Sequence, residues 1–384
     1  MKILHLANVL GDHKGGGVNE VVSNLYKNQK RLQHEPHIWY PGDNDDANQF
    51  GEDENVVALP TFGDPKYGLV KQIFHPAPKK MHYDIVHQHG IWMPISILSK
   101  KLRKNNNNLA SVVQPHGYLL KHNFNISKYK KIFALNLFEK SNLRGTDVLV
   151  SCASYEAQSL KNLFPQKEIA IIPNGVSLEF INAKKRLDNC QNSKKKMLFL
   201  SQINPIKGIE RVLRAINSIG IEKFSHWEFT IAGYENKSYK KLLLKMIDQL
   251  GLGDIVSFIG PKFGQDKIDE FDSANIMILP SFNENFGIVV AEALARGLPV
   301  ITTTGTPWEE LNEKKCGFWV DNNDEGIKSG LIKLLETTEK ELNEMGERGR
   351  QLIQEKYLWE NISIKSIQLY DWVINQGNKP DFFL

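Results

Sequence analysis

The chain has 384 residues, of which 41% are hydrophobic and 24% charged, with a formal net charge of +4. This length predicts two domains, each large enough to bury its own core. We expect no nucleic-acid partner. No apolar run reaches the roughly 18 residues of a membrane span, and the segment 1–10 is too short for a signal peptide, so a cytoplasmic protein is expected. The three cysteines lie far apart without a companion histidine motif, which predicts neither a zinc site nor a disulfide framework.

The apolar run at the start of the chain predicts a first strand, which leads into a glycine-rich loop that contains Lys14, Gly16 and Gly17. Residues 18–32 then have helical periodicity. A glycine-rich turn between a strand and a helix allows backbone N–H groups to approach an anion, but neither a G-x-G-x-x-G fingerprint nor a Walker loop is present. The loop therefore either lies near a phosphate or is a tight turn that binds nothing.

Further strands are predicted in the first half of the chain at 37–40, 56–59, 83–87, 110–114, 147–151 and 169–172. Two of them run into turns with histidines, which are His87, His89 and His116. A neutral imidazole at a strand end can orient a hydroxyl group. The alternative is that these histidines only pack or make hydrogen bonds within their loops.

The segment from Lys100 to Arg144 is strongly basic, with ten lysines and arginines and one acidic residue. Residues 126–143 predict one helix whose apolar set is flanked by lysines; the set is Ile126, Tyr129, Ile132, Phe133 and Leu137. Two interpretations stay open. The helix either lies on an anionic membrane surface or packs on the core with a solvated basic side.

After a polar, lysine-rich linker at 181–196, strands and helices alternate again. Strands are predicted at 197–201, 228–232, 256–259, 276–279, 300–303 and 317–320, and helices at 209–219, 239–250, 267–273, 286–295 and 359–374. This alternation predicts a parallel sheet with helices on both faces. Ligands of such sheets bind at the carboxyl ends of the strands.

The most informative stretch follows the predicted strand 276–279. Its loop leads into the helix 286–295, whose N-terminus suits a diphosphate. Glu284 and Glu292 flank that terminus eight residues apart, roughly 12 Å if the backbone between them is helical throughout. One carboxylate could accept hydrogen bonds from sugar hydroxyls and the other from ribose hydroxyls. The alternative is a solvated pair of carboxylates on an amphipathic helix.

Two lysines lie at other predicted strand ends. Lys207 belongs to the segment Asn-Pro-Ile-Lys-Gly that opens a helix, where it could neutralise a diphosphate or remain a solvated surface lysine. Lys262 follows the strand 256–259 in a Gly-Pro-Lys segment.

Residues 284–303 combine a carboxylate, an Asn-Phe-Gly turn, a helix, a Gly-x-Pro stop and a second strand. This block resembles the E-x7-E block of the retaining glycosyltransferases of family 4, the group 1 glycosyltransferases, and the resemblance extends over nearly the whole chain. It implies the GT-B fold, with two Rossmann-like doubly wound parallel-sheet domains facing a central cleft. The implied parts are an acceptor-side domain at 1–180, the linker at 181–196, a nucleotide-sugar-binding domain at 197–358 and a C-terminal segment at 359–384 that crosses back.

The resemblance implies a retaining, metal-independent transferase without a cofactor, because the nucleotide-diphosphate sugar is a substrate. The expected acceptor is a hydroxyl of a glycan, lipid-linked, in the synthesis of O-antigen, capsule, lipopolysaccharide or exopolysaccharide. The basic segment from Lys100 to Arg144 predicts a peripheral location on the inner face of the cytoplasmic membrane. A nucleotide-sugar epimerase of the same fold and a non-catalytic nucleotide-sugar-binding relative remain alternatives.

Site roles follow from the resemblance together with these residues. The catalytic set is Glu284, Lys207 and His116; the donor-binding set is Gly16, Gly17, Lys207, Lys262, Asn285, Phe286, Gly287, Ile288 and Glu292; the acceptor-side set is Lys14, His87 and His89. No metal ligands are predicted. Similar chains commonly have an arginine where this one has Gln202, and either Lys14 supplies the missing positive charge or turnover is slow.

Overall fold

The computed structural model describes residues 1–8, 10, 16–42, 50–51, 53–63, 69–71, 82–92, 94–125, 128–182 and 194–384. Lys14, Ile126 and most of the predicted linker lie outside these residues. The chain divides into two compact units, one formed by Met1–Asn174 with Trp359–Leu384 and the other by Gly175–Leu358.

The strands of the first unit are β1 (Lys2–Ala7), β2 (Glu35–Pro41), β3 (Val56–Leu59), β4 (Thr61–Phe62), β5 (Leu69–Val70), β6 (Ile85–His89), β7 (Ala110–Gln114), β8 (Val148–Ser151) and β9 (Glu168–Ile171). Seven of them form a parallel sheet in the order β3-β2-β1-β6-β7-β8-β9, while β4 and β5 pair antiparallel. Most residues of the central strands are buried, as expected for a parallel sheet covered on both faces.

The helices that follow these strands are α1 (Gly16–Arg31), α2 (Pro94–Asn105), α3 (Lys121–Asn125), α4 (Lys128–Ala134), α5 (Lys140–Gly145) and α6 (Ser154–Leu163). The prediction of a helix over 126–143 is confirmed for its described residues, since the chain is helical from Lys128 to Gly145, but one turn within it, Leu135–Glu139, is π-helical and lies between α4 and α5. The wider turn shifts the register of the residues after it. Its last residue, Glu139, is fully buried and accepts a hydrogen bond from the Trp92 backbone N–H at 2.9 Å.

The second unit begins with α7 (Glu179–Asn182). Its strands are β10 (Lys195–Leu200), β11 (Trp227–Ala232), β12 (Val256–Gly260), β13 (Ile276–Leu279), β14 (Val300–Thr303) and β15 (Gly317–Val320). Its other helices are α8 (Ile209–Ile219), α9 (Lys237–Gln249), α10 (Gly264–Ser273), α11 (Ile288–Ala295), α12 (Glu310–Glu313), α13 (Asp324–Glu336) and α14 (Glu339–Lys356). The sheet is parallel in the order β12-β11-β10-β13-β14-β15, so the strand order reverses between β10 and β13. In open α/β sheets, ligands bind at such a reversal.

The last helix, α15 (Trp359–Asn375), belongs to the first unit. Trp359, Leu369 and Tyr370 pack in the same apolar cluster as Ile3 of β1 and Val21 of α1. The tail beyond α15 pairs with β9 through a hydrogen bond from the Ile171 N–H to the Phe382 carbonyl at 2.7 Å, which covers that edge of the sheet. In the part of the chain that the structure describes, no helix is both long enough and apolar enough to cross a membrane.

Candidate active site

An ion pair joins two of the predicted site residues in the second unit. Glu284 lies in the loop between β13 and α11, and its Oε1 accepts hydrogen bonds from the Nζ of Lys207 and, at 2.8 Å, from the hydroxyl of Ser281. The side chains of Lys207 and Glu284 are each 14% exposed. Lys207 follows β10 and Glu284 follows β13, so the pair lies at the carboxyl ends of the two strands where the strand order reverses.

The position of Lys207 depends on the glycine after it. Pro205–Lys207 form a single 3-10 turn, and Gly208 has a left-handed φ of 66°. A Cβ atom at Gly208 would lie 2.5 Å from the Pro280 carbonyl oxygen, so a larger residue would push the turn away from the end of β13. A hydrogen bond from the Phe282 N–H to the Ile206 carbonyl at 2.8 Å joins the two loops directly.

The helix after Glu284 begins two residues later than predicted. Gly287 has φ 78° and ψ 61°, a left-handed conformation that a right-handed helix cannot include, so α11 begins at Ile288 rather than at Phe286. Phe286 is buried instead against Trp308, whose indole N–H donates to the Phe286 carbonyl at 2.6 Å. Because the backbone before Ile288 is not helical, the estimate of roughly 12 Å between the two glutamates does not apply.

Glu292 lies on α11 and is only 2% exposed. Its Oε1 accepts a hydrogen bond from the Nζ of Lys267 on α10, whereas its Oε2 has no hydrogen-bond partner among the described residues. Buried carboxylate oxygens are normally paired, so this atom is available to a ligand hydroxyl. Lys262 does not join this group, because its Nζ pairs with Glu270 at 3.1 Å.

Sequence reasoning missed Arg211, which is completely buried on α8. Its guanidinium stacks over the Phe282 ring at 4.3 Å and donates to the Asn322 side-chain oxygen at 2.9 Å. The Asn322 amide in turn donates to the Phe282 carbonyl at 2.8 Å. Arg211 therefore supports the loop that carries Glu284, and nothing in its helical spacing distinguishes it from a surface arginine. It does not replace the arginine missing at the exposed Gln202.

The first unit contains a separate cluster of histidines. His87 and His89 on β6 are 2% and 0% exposed, and they lie beside His5 of β1, which is also completely buried. The prediction that His87 and His89 orient an acceptor hydroxyl is corrected here, because neither ring reaches the surface. Burial lowers the pKa of His5 to about 4 and keeps the pKa values of His87 and His89 well below the ordinary range. These rings are therefore neutral at pH 7.

His116 differs from these two, because it is partly exposed just after β7 and has a left-handed φ of 54°. Its Nε2 lies 3.3 Å from the Nδ1 of His89. Burial lowers the pKa of His116 as well, so its ring is neutral. His5 was not predicted as part of this cluster, although β1 places it directly opposite His87 in the strand register. Gly16 and Gly17 begin α1.

The apolar set on the basic segment faces outward. Tyr129, Phe133 and Leu137 are 87%, 68% and 65% exposed, and Ile132 is 37% exposed. The interpretation of this segment as a helix packed on the core is therefore wrong for these four side chains. They form an exposed apolar surface beside Lys128 and other lysines, which we call the α4 surface.

Two doubly wound parallel sheets, with an ion pair at the strand reversal of the second, define an α/β protein of the GT-B class. A family model described as Glycosyltransferase Family 4 matches residues 15–180, and one described as Glycosyl transferases group 1 matches residues 181–352. The chain belongs to the group 1 glycosyltransferases.

Relatives of known sequence agree with this membership. An uncharacterized glycosyltransferase of Methanocaldococcus jannaschii is 28% identical over 224 residues, which are 54% of this chain and 54% of that protein. A D-inositol 3-phosphate glycosyltransferase of Corynebacterium urealyticum is 23% identical over 313 residues, which are 76% of this chain and 72% of that protein. The chain thus spans about half the length of the first of these relatives.

Solved structures confirm the predicted GT-B fold. Sucrose-phosphate synthase from Thermosynechococcus elongatus superposes with a TM-score of 0.77 and 17% identity, covering 98% of this chain and 100% of that one. Anabaena HepE in complex with UDP and glucose superposes with a TM-score of 0.74 and 15% identity, covering 96% and 99%. At these identities the likeness concerns the fold alone.

Proposed function

We propose that this protein is a retaining glycosyltransferase that moves a hexose from a nucleotide-diphosphate sugar to a hydroxyl of a lipid-linked glycan in the synthesis of a cell-surface polysaccharide. The observation that carries the proposal is the contact between Lys207 and Glu284 beside the N-terminus of α11. In this proposal the segment 197–358 binds the donor and the segment 1–180 binds the acceptor.

The ion pair prepares both side chains for the donor. Each charge neutralises the other, so neither is left unpaired in a partly buried position. When the donor binds, its diphosphate interacts with Lys207 and with the N-terminus of α11 at Gly287 and Ile288. Glu284 is then released to accept hydrogen bonds from the sugar hydroxyls.

The transfer forms a bond between the acceptor oxygen and the anomeric carbon and breaks the bond from that carbon to the phosphate oxygen. The proton of the acceptor hydroxyl moves to a phosphate oxygen of the departing nucleoside diphosphate on the same face of the sugar. Lys207 and the helix dipole stabilise the negative charge that develops on the diphosphate, which lets the step proceed without a metal ion. In this proposal His116 acts on a sugar hydroxyl, as the family resemblance implies, and the free Oε2 of Glu292 accepts a hydrogen bond from a ribose hydroxyl.

Solved relatives support a nucleotide-sugar donor, because HepE was crystallised in complex with UDP and in complex with UDP-glucose. Curated relatives include D-inositol 3-phosphate glycosyltransferases and an MMP alpha-(1->4)-mannosyltransferase, which supports transfer of a hexose to a hydroxyl. The α4 surface supports a peripheral location on the inner face of the cytoplasmic membrane, because exposed aromatic rings next to lysines suit an anionic bilayer.

A direct assay tests the proposal. Purified protein is incubated with a panel of UDP and GDP sugars, with and without a lipid-linked acceptor, and the anomeric configuration of the product is read by NMR. We expect transfer with retention that needs the acceptor. Epimerised nucleotide sugar formed without acceptor would favour the epimerase, and donor binding without turnover would favour the non-catalytic relative.

A further inference from the structure

Four side chains in the first unit form a continuous hydrogen-bonded chain that ends at His116. The Gln29 side-chain oxygen on α1 lies 2.8 Å from the Nε2 of His5, and the Nδ1 of His5 lies 2.9 Å from the Nε2 of His89. The Nδ1 of His89 lies 3.3 Å from the Nε2 of His116. Gln29, His5 and His89 are completely buried, so bulk solvent does not compete for these hydrogen bonds.

A neutral imidazole carries one proton, so one of its nitrogens donates and the other accepts. When neutral imidazoles bond in series, the tautomer of one ring decides the tautomer of the next. The three histidines can therefore be protonated in only two ways, with all of the shared protons pointing toward Gln29 or all pointing toward His116. The group at the buried end of the chain selects between them.

The orientation of the Gln29 amide makes that selection. Its second neighbour is the Tyr370 hydroxyl, whose oxygen lies 3.5 Å from the Gln29 nitrogen and 2.6 Å from the Nδ1 of His87. The short contact lets the Tyr370 O–H donate to His87, and the amide NH2 then donates to the tyrosine oxygen. If the amide were reversed, its oxygen would face the tyrosine oxygen, which places two acceptors 3.5 Å apart while the hydroxyl proton is engaged with His87.

With the amide oxygen facing His5, the Nε2 of His5 must donate to it. The Nδ1 of His5 then accepts from the Nε2 of His89, and the Nδ1 of His89 accepts from the Nε2 of His116. We propose that Gln29 is a positioning residue that acts through His5 and His89 to hold His116 in the tautomer with a proton on Nε2 and a bare Nδ1.

The inference rests on the proposed function only in naming a sugar hydroxyl as the group that contacts this Nδ1. A bare imidazole nitrogen accepts a hydrogen bond, so His116 is set to receive one from a sugar hydroxyl. The reversed tautomer would present an N–H to the same hydroxyl and would demand an acceptor there instead. Gln29 therefore determines whether His116 accepts a hydrogen bond from the sugar hydroxyl or donates one to it.

A metal ion does not explain the cluster equally well, although His5, His87 and His89 each offer a nitrogen within 4.8 Å of the others. Two imidazoles on one tetrahedral zinc, with Zn–N bonds of about 2.0–2.1 Å, hold their nitrogens about 3.3 Å apart. The 2.9 Å between His5 and His89 is instead the length of a hydrogen bond.

NMR spectroscopy can locate the histidine ring protons directly. Protein labelled with 15N-histidine is examined at pH 7.5 by long-range 1H–15N correlation, with a His116→Asn variant to assign that ring. We expect His5, His87, His89 and His116 all to carry the proton on Nε2. A proton on the Nδ1 of His116, a charged ring, or metal bound to the purified protein would overturn the proposal.

A second experiment changes the side chain at position 29 from a hydrogen-bond acceptor to a donor. Gln29→Lys has a similar length but only donates, so it should move the proton of His116 to Nδ1, while Gln33→Lys, an exposed control next to the end of α1, should not. We expect the transfer rate to fall in proportion to the lost fraction of the Nε2–H tautomer. A tautomer change without a rate change would uphold the role of Gln29 but refute a role of His116 in transfer. Because a buried lysine can prevent folding, the spectrum of the parent protein remains a measurement that can overturn the proposal without any variant.

Discussion

Lys207 donates a hydrogen bond to Glu284 across 77 positions of sequence, and the two side chains meet where the strand order of the second sheet reverses. Ser281 donates to the same carboxylate oxygen, so Glu284 is held by a cation and a hydroxyl together. This contact connects the two segments that the sequence could only describe separately, and the first prediction follows from it.

Removing either member of this pair should impair the chemical step. We expect Lys207→Ala to lower kcat about 10²–10³-fold, as for the loss of one preorganised charge-stabilising group, and Glu284→Ala to abolish measurable transfer. Lys379→Ala is the matched control, because Lys379 pairs with Glu168 on the exposed surface of the first unit. Transfer at the parent rate by Glu284→Ala would refute the assignment of this site.

Glu292 should act on binding of the donor rather than on the reaction. Loss of a hydrogen bond to a charged group costs about 1.5–3 kcal/mol, so Glu292→Ala should raise the KM for the donor roughly 10–100-fold with little change in kcat. Lys267→Met is the contrasting variant. It leaves the buried Glu292 carboxylate without its lysine partner and should lower the free energy of unfolding by about 1–3 kcal/mol. An unchanged KM in Glu292→Ala would leave the residue as a structural ion-pair partner only.

Restoring an arginine at position 202 should strengthen binding of the nucleoside diphosphate product. Gln202 is exposed in the loop after β10, and a guanidinium there can bind phosphate in bidentate fashion. We expect the Kd measured by calorimetry to fall about tenfold in Gln202→Arg and not in the control Gln265→Arg, which adds the same charge on α10. If Lys14 already supplies this charge, the gain will be seen only in a Lys14→Ala background. Equal affinities in both backgrounds would show that position 202 does not face the phosphates.

The buried histidines should make the protein sensitive to mild acid. The pKa values of His5, His87 and His89 are lower in the folded state than the ordinary value near 6.5, so the unfolded state takes up protons first as the pH falls. The free energy of unfolding should therefore decrease below pH 6.5, by up to about 1.4 kcal/mol per histidine for each pH unit.

Urea unfolding at pH 7.5, 6.5 and 5.5 measures this dependence. The exposed His226 provides the control, since His226→Asn should leave the slope unchanged. Equal stability at all three pH values would contradict the neutral state of the cluster.

The α4 surface should bind anionic vesicles reversibly and in a salt-dependent manner. Each lysine near such a surface contributes about 1 kcal/mol, so changing Lys128, Lys130 and Lys140 to Glu should weaken binding about 100-fold or more at low salt. Lys131 is left unchanged because its Nζ donates to the Asn123 carbonyl. The control changes Lys237, Lys241 and Lys245, which are exposed on α9, to Glu. Equal co-sedimentation of the parent and the α4 variant, or a larger loss in the control, would rule out this surface.

Much of the second unit was predictable from local patterns. The strands Ile276–Leu279 and Val300–Thr303 have the predicted bounds, because each is a short run of apolar or β-branched residues between turn residues. The start of α11 was not predictable in this way, since Gly287 adopts a left-handed conformation that the apolar pattern does not encode. The burial of Phe286 beneath Trp308, 22 residues later, depends on tertiary packing.

In the basic segment, local patterns predicted the helix but not the surroundings of its apolar side chains. Its composition and apolar spacing were read correctly, but periodicity alone could not decide whether the apolar side chains face the core or the solvent. The π-helical turn Leu135–Glu139 arises where Glu139 reaches the backbone of Trp92, a contact 47 residues away. Hydrophobic spacing reports that a helix has an apolar face and not what lies opposite that face.

The sequence by itself determined the alternation of strands and helices, the two-domain organisation of the fold class and the identities of Lys207, Glu284 and His116 as candidates, because these follow from local composition and motif. Only the tertiary structure decided the partners of these residues. The contact of Lys207 with Glu284, the free oxygen of Glu292 and the chain from Gln29 to His116 each join elements far apart in sequence. Strand order and helix docking bring such elements together, and neither is specified by the periodicity of any single segment.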